Sequence, residues 1–239
     1  MNVSDHSPPG VVRVRAPNPS ALTLDGTNTY VLEGWVVDPG PDDEKHLEAV
    51  RRAAGKGIVG VVLTHRHGDH ADGAHRLGAP VTLLADGESL GPFRALATPG
   101  HTPDSVCLIA GGACFTGDTV LGRGSVFIAP GEGSLSAYLS SLRRLRELEL
   151  DVLCPGHGPY VWEPAAKLDE YLSHRLEREG RLVEALEAGL RSRDELLDSA
   201  WSDAPAELRD FAALSLASHL EKLDEEGRLP EGVSVPRPQ

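Results

Sequence analysis

Cysteine is scarce in this chain of 239 residues: Cys107, Cys114 and Cys154 are all it has. An odd number at wide spacing forms neither a disulfide framework nor a cysteine-rich metal module. Buried, reduced thiols are the expectation. Positive charge is also short. Lys and Arg number 23 against 36 Asp and Glu, for a net charge of −13. Such a surface repels polyanions unless cations gather locally, which argues against general nucleic-acid coating but leaves room for a small basic pocket. No apolar run is long enough to cross a bilayer. Met1–Gly10 is polar and Pro-rich, without the basic-then-apolar order of an export signal, so a cytoplasmic protein away from membranes is expected. Internal repeats are absent, and low complexity is confined to the termini.

What remains is an ordinary globular composition, 40% apolar and 25% charged. It is enough for one large domain with a small appendage. To about residue 160, short apolar runs end in Gly, Pro, Asp or His. The predicted strands are Val11–Val14, Thr29–Glu33, Trp35–Asp38, Ile58–Thr64, Val81–Leu84, Arg94–Thr98, Ser105–Ile109, Cys114–Thr116 and Val152–Cys154. Helical spacing marks Asp43–Ala54, and Ser134–Leu148 with Ser134 as N-cap. Beyond Pro159 the pattern turns helical: Ala165–Leu190 behind Pro164, then Arg193–Trp201 and Ala206–Gly227. A short strand at Val233–Val235 would complete a winged-helix-like tail. The expected division is a catalytic domain over 1–162 and a helical region over 163–239.

The chemistry concentrates in His65-Arg66-His67-Gly68-Asp69-His70, at the mouth of the Ile58–Thr64 strand. Imidazole nitrogen and carboxylate oxygen are zinc ligands. Four of them in six residues cannot point one way, but they can serve two neighbouring ions that clamp nucleophile and leaving group. Three later ligands stand in the same context, after an apolar run and beside glycine: His101 in Pro-Gly-His-Thr, Asp118 in Thr-Gly-Asp-Thr, and His157 in Pro-Gly-His-Gly. The expected assignment puts His65, His67 and His101 on one ion and Asp69, His70 and His157 on the other, with Asp118 bridging. Asp69 would also orient the attacking water. Two Zn2+ ions are expected, although N/O donors also accept Mn2+ or Fe.

In that order, His-x-His-x-Asp-His, Gly-His-Thr, Thr-Gly-Asp and Pro-Gly-His-Gly resemble the metallo-β-lactamase superfamily across about residues 10–160. The resemblance implies an α+β fold, an αββα sandwich with metals at one sheet edge. It also implies that Asp38, in Val-Val-Asp-Pro-Gly, supports the metal loop from behind.

Gly26-Thr27-Asn28-Thr29-Tyr30, the helix carrying Tyr171, His174, Arg175, Arg178 and Glu179, and the C-terminal tail together resemble the beta-lactamase-like protein 2 group. That likeness runs nearly end to end. It implies a dinuclear zinc hydrolase working through a metal-bridging hydroxide, with single-stranded RNA as one substrate class. A glyoxalase II-like acyl thioester or ester hydrolase is the alternative, and a mononuclear iron dioxygenase acting on a persulfide is another. Antibiotic hydrolysis is disfavoured, because true metallo-β-lactamases typically carry Cys where Asp118 stands.

Outside the metals, His174, Arg175, Arg178 and Asn28 are the expected substrate contacts, Arg offering a fork for phosphate or carboxylate. Arg191, Arg193, Arg209, Lys222, Arg228 and Arg237 are interleaved with acids. That pattern predicts packing, homodimerisation or shaping of the site mouth, and no stable DNA binding.

Overall fold

The structure, a computed structural model, describes residues 6–205 and 208–235. Met1–Asp5 and Arg237, which entered the leader and tail readings, lie outside them, as does the start of the Ala206–Gly227 helix. The short β-branched runs pair into two five-stranded sheets. The first runs in the order β1 (Val11–Arg15), β2 (Asn28–Leu32), β3 (Trp35–Val37), β4 (Gly60–Val62) and β5 (Val81–Thr82). β1 to β3 are antiparallel, with Arg15 opposite Asn28 and Tyr30 opposite Val37. β4 and β5 continue in parallel, as the crossover through helix α1 (Glu44–Ala54) requires. The second sheet is a meander of β6 (Ser89–Leu90), β7 (Phe93–Ala97), β8 (Val106–Ala110) and β9 (Ala113–Gly117). β10 (Val152–Pro155) lies parallel beside β9.

Alternate side chains go to opposite faces. Tyr30, Leu32, Val37 and Val62 of the first sheet share one buried cluster with Phe93, Leu108, Phe115 and Val152 of the second. Tyr30 and Phe93 both meet the Phe115 ring edge-on, at 5.2 and 5.7 Å between centroids. The other face of the first sheet places Val31, Val36 and Val61 on Leu47 and Val50 of α1. Asp43 caps α1 by accepting from His46 N at 2.8 Å, and Gly55 ends it at φ +65°.

The chain divides into two compact units. One holds the chain up to Thr98 together with Asp104–Val126 and Leu148–Ala165, and contains both sheets. The other holds Pro99–Pro103, Phe127–Glu147 and the chain from Ala166 onward. The second unit carries α3 (Leu135–Arg146), most of α4 (Pro164–Glu187), α5 (Arg193–Ala200) and α6 (Arg209–Glu225), α2 being the short turn described below. Ser134 caps α3, and Ser192 and Glu195 form a reciprocal capping box on α5. Leu182, Leu186, Leu197, Trp201, Leu216 and Leu220 form this unit's buried cluster. Val233 and Val235 pack on it in irregular chain. The strand expected there does not form, because this unit's described residues offer no strand to complete a ladder with.

Candidate metal centre

β4 delivers the chain through Leu63 and Thr64 to His65. His65–His67 stay extended, and His67 (φ −61°, ψ 144°) is the N-cap of α2 (Gly68–Ala71). Residues two apart in extended chain share a side, so His65 and His67 pair, with ring centroids 4.7 Å apart. The helical turn then re-aims Asp69 and His70. The change of backbone state inside the motif keeps the rings close, His65 lying 4.3 Å from His70 between centroids.

His70, His157, Asp69 and Asp118 converge. His70 Nε2 lies 3.3 Å from His157 Nε2, 3.4 Å from Asp118 Oδ1 and 3.5 Å from Asp69 Oδ2. His157 Nε2 lies 3.3 Å from both Asp69 Oδ2 and Asp118 Oδ1. A tetrahedral ion with ligands at about 2.0–2.1 Å has ligand–ligand edges of about 3.3–3.4 Å. The five separations match such edges, and Asp69, His70 and His157 with Asp118 beside them offer donors suited to a divalent metal ion. Glycine makes the approach possible. A Cβ on Gly156 would stand 2.5 Å from His70 Cε1 and 2.8 Å from Asp118 Oδ1, and one on Gly117 (φ +48°) would overlap Thr64 Oγ1.

The support behind the ligands is equally specific. His70 Nδ1 is 2.9 Å from Asp38 Oδ2, and Thr64 N donates to Asp38 Oδ1 at 2.7 Å. Thr64 Oγ1 donates to Asp38 Oδ2 at 2.6 Å and lies 3.0 Å from His65 Nδ1. Asp38 sits at φ +48°, held by Thr29 Oγ1 on its carbonyl at 2.7 Å, and Thr29 in turn meets buried His46 Nε2 at 2.9 Å. Thr27 Oγ1 donates to Asp69 Oδ2 at 3.3 Å. Thr27 and Thr29 stand in the Gly26–Tyr30 motif without an assigned role, and His46 carries no sequence signal. The adjacency of Thr64 to the histidine motif is the available signal.

Burial disfavours charge on all four convergent groups, yet mutual attraction prevails. Asp118 and Asp38 hold His70 well above the usual imidazole range despite its burial. His157, against the same desolvation, is raised to about 9 by Asp118 and Asp69. Burial pushes Asp69 up, but His157 and His70 bring it down to about 2. Asp118 is likewise held well below the carboxylate range by His70 and His157. Two ionised carboxylates facing two imidazole nitrogens form a cation site, in which a divalent ion takes the place of protons.

The other predicted residues are placed as follows. His101 Nδ1 lies 2.8 Å from Phe127 O, which makes that nitrogen the donor and assigns Nε2 the acceptor or ligand role. Asn28 is buried behind the His157 loop, and its Nδ2 donates to Pro155 O at 3.0 Å and Gly158 O at 2.8 Å. His174 is exposed on α4. Arg175 is buried, with its guanidinium 5.7 Å over the Tyr138 ring and Nη1 3.5 Å from Ser215 Oγ. Arg178 forks onto Asp203, with Nη2 at 2.9 Å, and donates to Ala200 O at 2.7 Å. Sequence order brings Asp69, His70, Asp118 and His157 to one point, while α4 directs Arg175 and Arg178 to partners in their own unit.

The family described as the Metallo-beta-lactamase superfamily matches residues 22–79 and 80–157. The chain belongs to the metallo-beta-lactamase superfamily. As a member it is a metal-dependent hydrolase. It is 29% identical over 268 residues to the Beta-lactamase-like protein 2 homolog of Drosophila melanogaster, covering 92% of this chain and 89% of that protein. It is 33% identical over 207 residues to an Atrochrysone carboxyl ACP thioesterase of Aspergillus chevalieri, covering 74% of this chain and 66% of that protein. A metallo-beta-lactamase family protein from Thermus thermophilus shares the fold, with TM-score 0.75, 24% identity and coverage of 92% and 94% of the two chains. The α+β class with two mixed sheets is therefore that of the superfamily.

Proposed function

We propose that this superfamily member hydrolyses an acyl thioester or ester at a dinuclear zinc centre. The observation that carries this reading is the convergence of Asp69, His70 and His157, with Asp118 within 3.4 Å of both imidazoles. His65, His67 and His101 would hold one ion and Asp69, His70 and His157 the other, with Asp118 shared; the same donors take Mn2+ or Fe. Residues 1–162 would supply the catalysis and 163–239 an appended helical region. Bound divalent ions supply Lewis acidity and acidify water at neutral pH.

The chain's own residues position the reactants. Asp69, steadied by Thr27 Oγ1, accepts a hydrogen bond from the attacking water and takes over its proton. Water adds to the acyl carbon, the C–S bond breaks, and the proton passes to the leaving thiolate. Asp38 fixes the orientation of His70, and Asn28 fixes the Pro155–Gly158 loop that presents His157. Arg175 and Arg178 brace α4, and exposed His174 remains the outer substrate contact on that helix.

Two observations favour an acyl substrate over single-stranded RNA: the thioesterase name of a relative and the net charge of −13. RNA is the second substrate to assay. Metal content with oxygen uptake separates both from iron-dependent persulfide oxidation. No helix among the described residues is long and apolar enough to cross a membrane. The three cysteines are free and buried, which suits a cytoplasmic, reducing setting. Homodimerisation is one role for the helical region, beside packing and shaping of the site mouth, and sedimentation reads it.

The test is thiol release from a neutral acyl-N-acetylcysteamine thioester by the zinc-loaded chain and its Asp69→Ala variant. Turnover by the wild type, lost at least 1,000-fold (about 4 kcal/mol) in the variant, is expected. Unchanged turnover in the variant with metal still bound would remove the role given to Asp69. No turnover of thioester or ester by the wild type would remove the acyl reading.

A further inference from the structure

Two arginines border the His157 loop. Arg15 ends β1 opposite Asn28, the residue that holds the loop through the carbonyls of Pro155 and Gly158. Arg123 follows Gly122, whose N–H donates to His157 O at 2.9 Å. A Cβ on Gly158 would lie 3.3 Å from Arg123 N and 3.2 Å from Leu24 Cδ1. Between the arginines stands Asp25, two residues before Thr27. Thr27 forms a β-bridge with His157 and donates to Asp69. Both arginines are therefore carried by segments that border the His157 loop.

Asp25 does not satisfy them. Its Oδ2 is 4.0 Å from Arg15 Nη1 and its Oδ1 is 3.5 Å from Arg123 Nη2, outside the 2.7–3.2 Å of an N–H···O hydrogen bond. The three side chains are 55%, 62% and 52% exposed, in the order Arg15, Arg123, Asp25. Exposed pairs of this kind are worth about 0–1 kcal/mol. Two cations against one acid leave a positive spot on a chain whose net charge is −13. Local charge of that sign beside an active-site mouth concentrates and orients anionic ligands. A carboxylate poised between two guanidinium forks also marks where a tetrahedral anion can accept from both.

We propose that Arg15 and Arg123 clamp a phosphate group that the substrate carries away from its scissile bond, displacing Asp25. The preferred substrates are then phosphate-bearing acyl thioesters of the kind built on a phosphorylated pantetheine arm. The acyl part rests on the function proposed above, whereas the clamp does not.

The test is calorimetric binding of S-methyl-coenzyme A, whose capped sulfur does not ligate metal, to the full zinc-loaded chain. S-methyl-pantetheine serves as the phosphate-free probe. The Arg15→Ala/Arg123→Ala protein should bind S-methyl-coenzyme A about 10- to 100-fold more weakly than wild type and S-methyl-pantetheine equally. Asp25→Asn should tighten binding of the coenzyme analogue, and added salt should weaken it. Equal binding of the coenzyme analogue by wild type and double variant overturns the clamp, as does its failure to bind wild type. Tight binding of a single-stranded oligoribonucleotide in its place would assign the arginine pair to nucleic acid and overturn the thioester class. Absent thioester turnover with coenzyme-analogue binding intact would instead count against the acyl-hydrolase reading alone.

Discussion

His70 Nδ1 lies 2.9 Å from Asp38 Oδ2, and the imidazole consequently turns its Nε2 to Asp118, Asp69 and His157. One carboxylate thus sets the tautomer and aim of a ligand while accepting from the Thr64 N–H and hydroxyl that open the motif. Replacement of Asp38 by Asn should weaken metal affinity about 10- to 100-fold and destabilise the chain by about 1–3 kcal/mol. Competition against a chelator and urea denaturation measure the two effects. Unchanged metal affinity would show that Asp38 does not orient His70.

Gly156 tests the packing of the ligand loop. Its Cα faces His70 Cε1 and Asp118 Oδ1 with no space for a methyl group. Gly156→Ala should lower metal affinity at least 10-fold, while the two-sheet core around Phe93, Leu108 and Phe115 keeps its far-UV circular dichroism. Retained affinity would mean that the loop has freedom not visible in its contacts.

Acid stability should depend on His219. The ring is fully buried on α6, 5.6 Å from Trp201, and neither nitrogen has a hydrogen-bond partner among the described residues. Burial first, then Arg175, Lys222, His174 and Arg178, lower its pKa to about 3, with Glu179 Oε2 facing it at 4.0 Å. The folded value lies below the unfolded one, so the unfolded chain takes up the proton first as pH falls. The neutral ring's contribution is complete above pH 6.5 and disappears as pH falls toward about 3. The slope is about 1.4 kcal/mol per pH unit. Urea denaturation at pH 7 and pH 5 should show about 2 kcal/mol more loss in wild type than in His219→Leu. Parallel losses would show that His219 is not the titrating group.

Arg178 should behave as a brace. Its guanidinium bonds Asp203 and the Ala200 carbonyl, and Trp201 lies 5.8 Å beneath it. Arg178→Ala should cost about 1–2 kcal/mol of stability, little of it from half-exposed Asp203. KM and kcat for a neutral thioester should stay within about twofold, a change of about 0.4 kcal/mol. Unchanged stability with a raised KM would return Arg178 to the role of substrate contact.

The convergence of Asp69, His70, Asp118 and His157 is legible in the sequence because these residues lie within short Gly-flanked motifs, and because Asp69, His70 and Asp118 closely follow strands. The strands themselves were overdrawn or missed where pairing decides their length. Ile58–Thr64 reads as one apolar run, yet only Gly60–Val62 pairs with β3 and only Val61 and Val62 also pair with β5. Ser89–Leu90 is a two-residue strand made by its neighbour β7, with no period to detect. The α2 turn at Gly68–Ala71 was equally hidden, since four residues carry no helical repeat. Asn28 could be recognised as special, but its sequence neighbours do not reveal the carbonyls of Pro155 and Gly158 that occupy its amide. Long-range polar contacts of this kind depend on the completed fold.

The proposed paired metal site would hold its second ion on Asp69, His70 and His157 beside Asp118. The most direct test is the metal-to-protein ratio of the zinc-loaded, dialysed chain by mass spectrometry, compared with His157→Ala. About two zinc ions are expected in the wild type, as in other paired hydrolytic sites, and about one in the variant. A wild type that retains no zinc, or a variant that retains as much as the wild type, would contradict it.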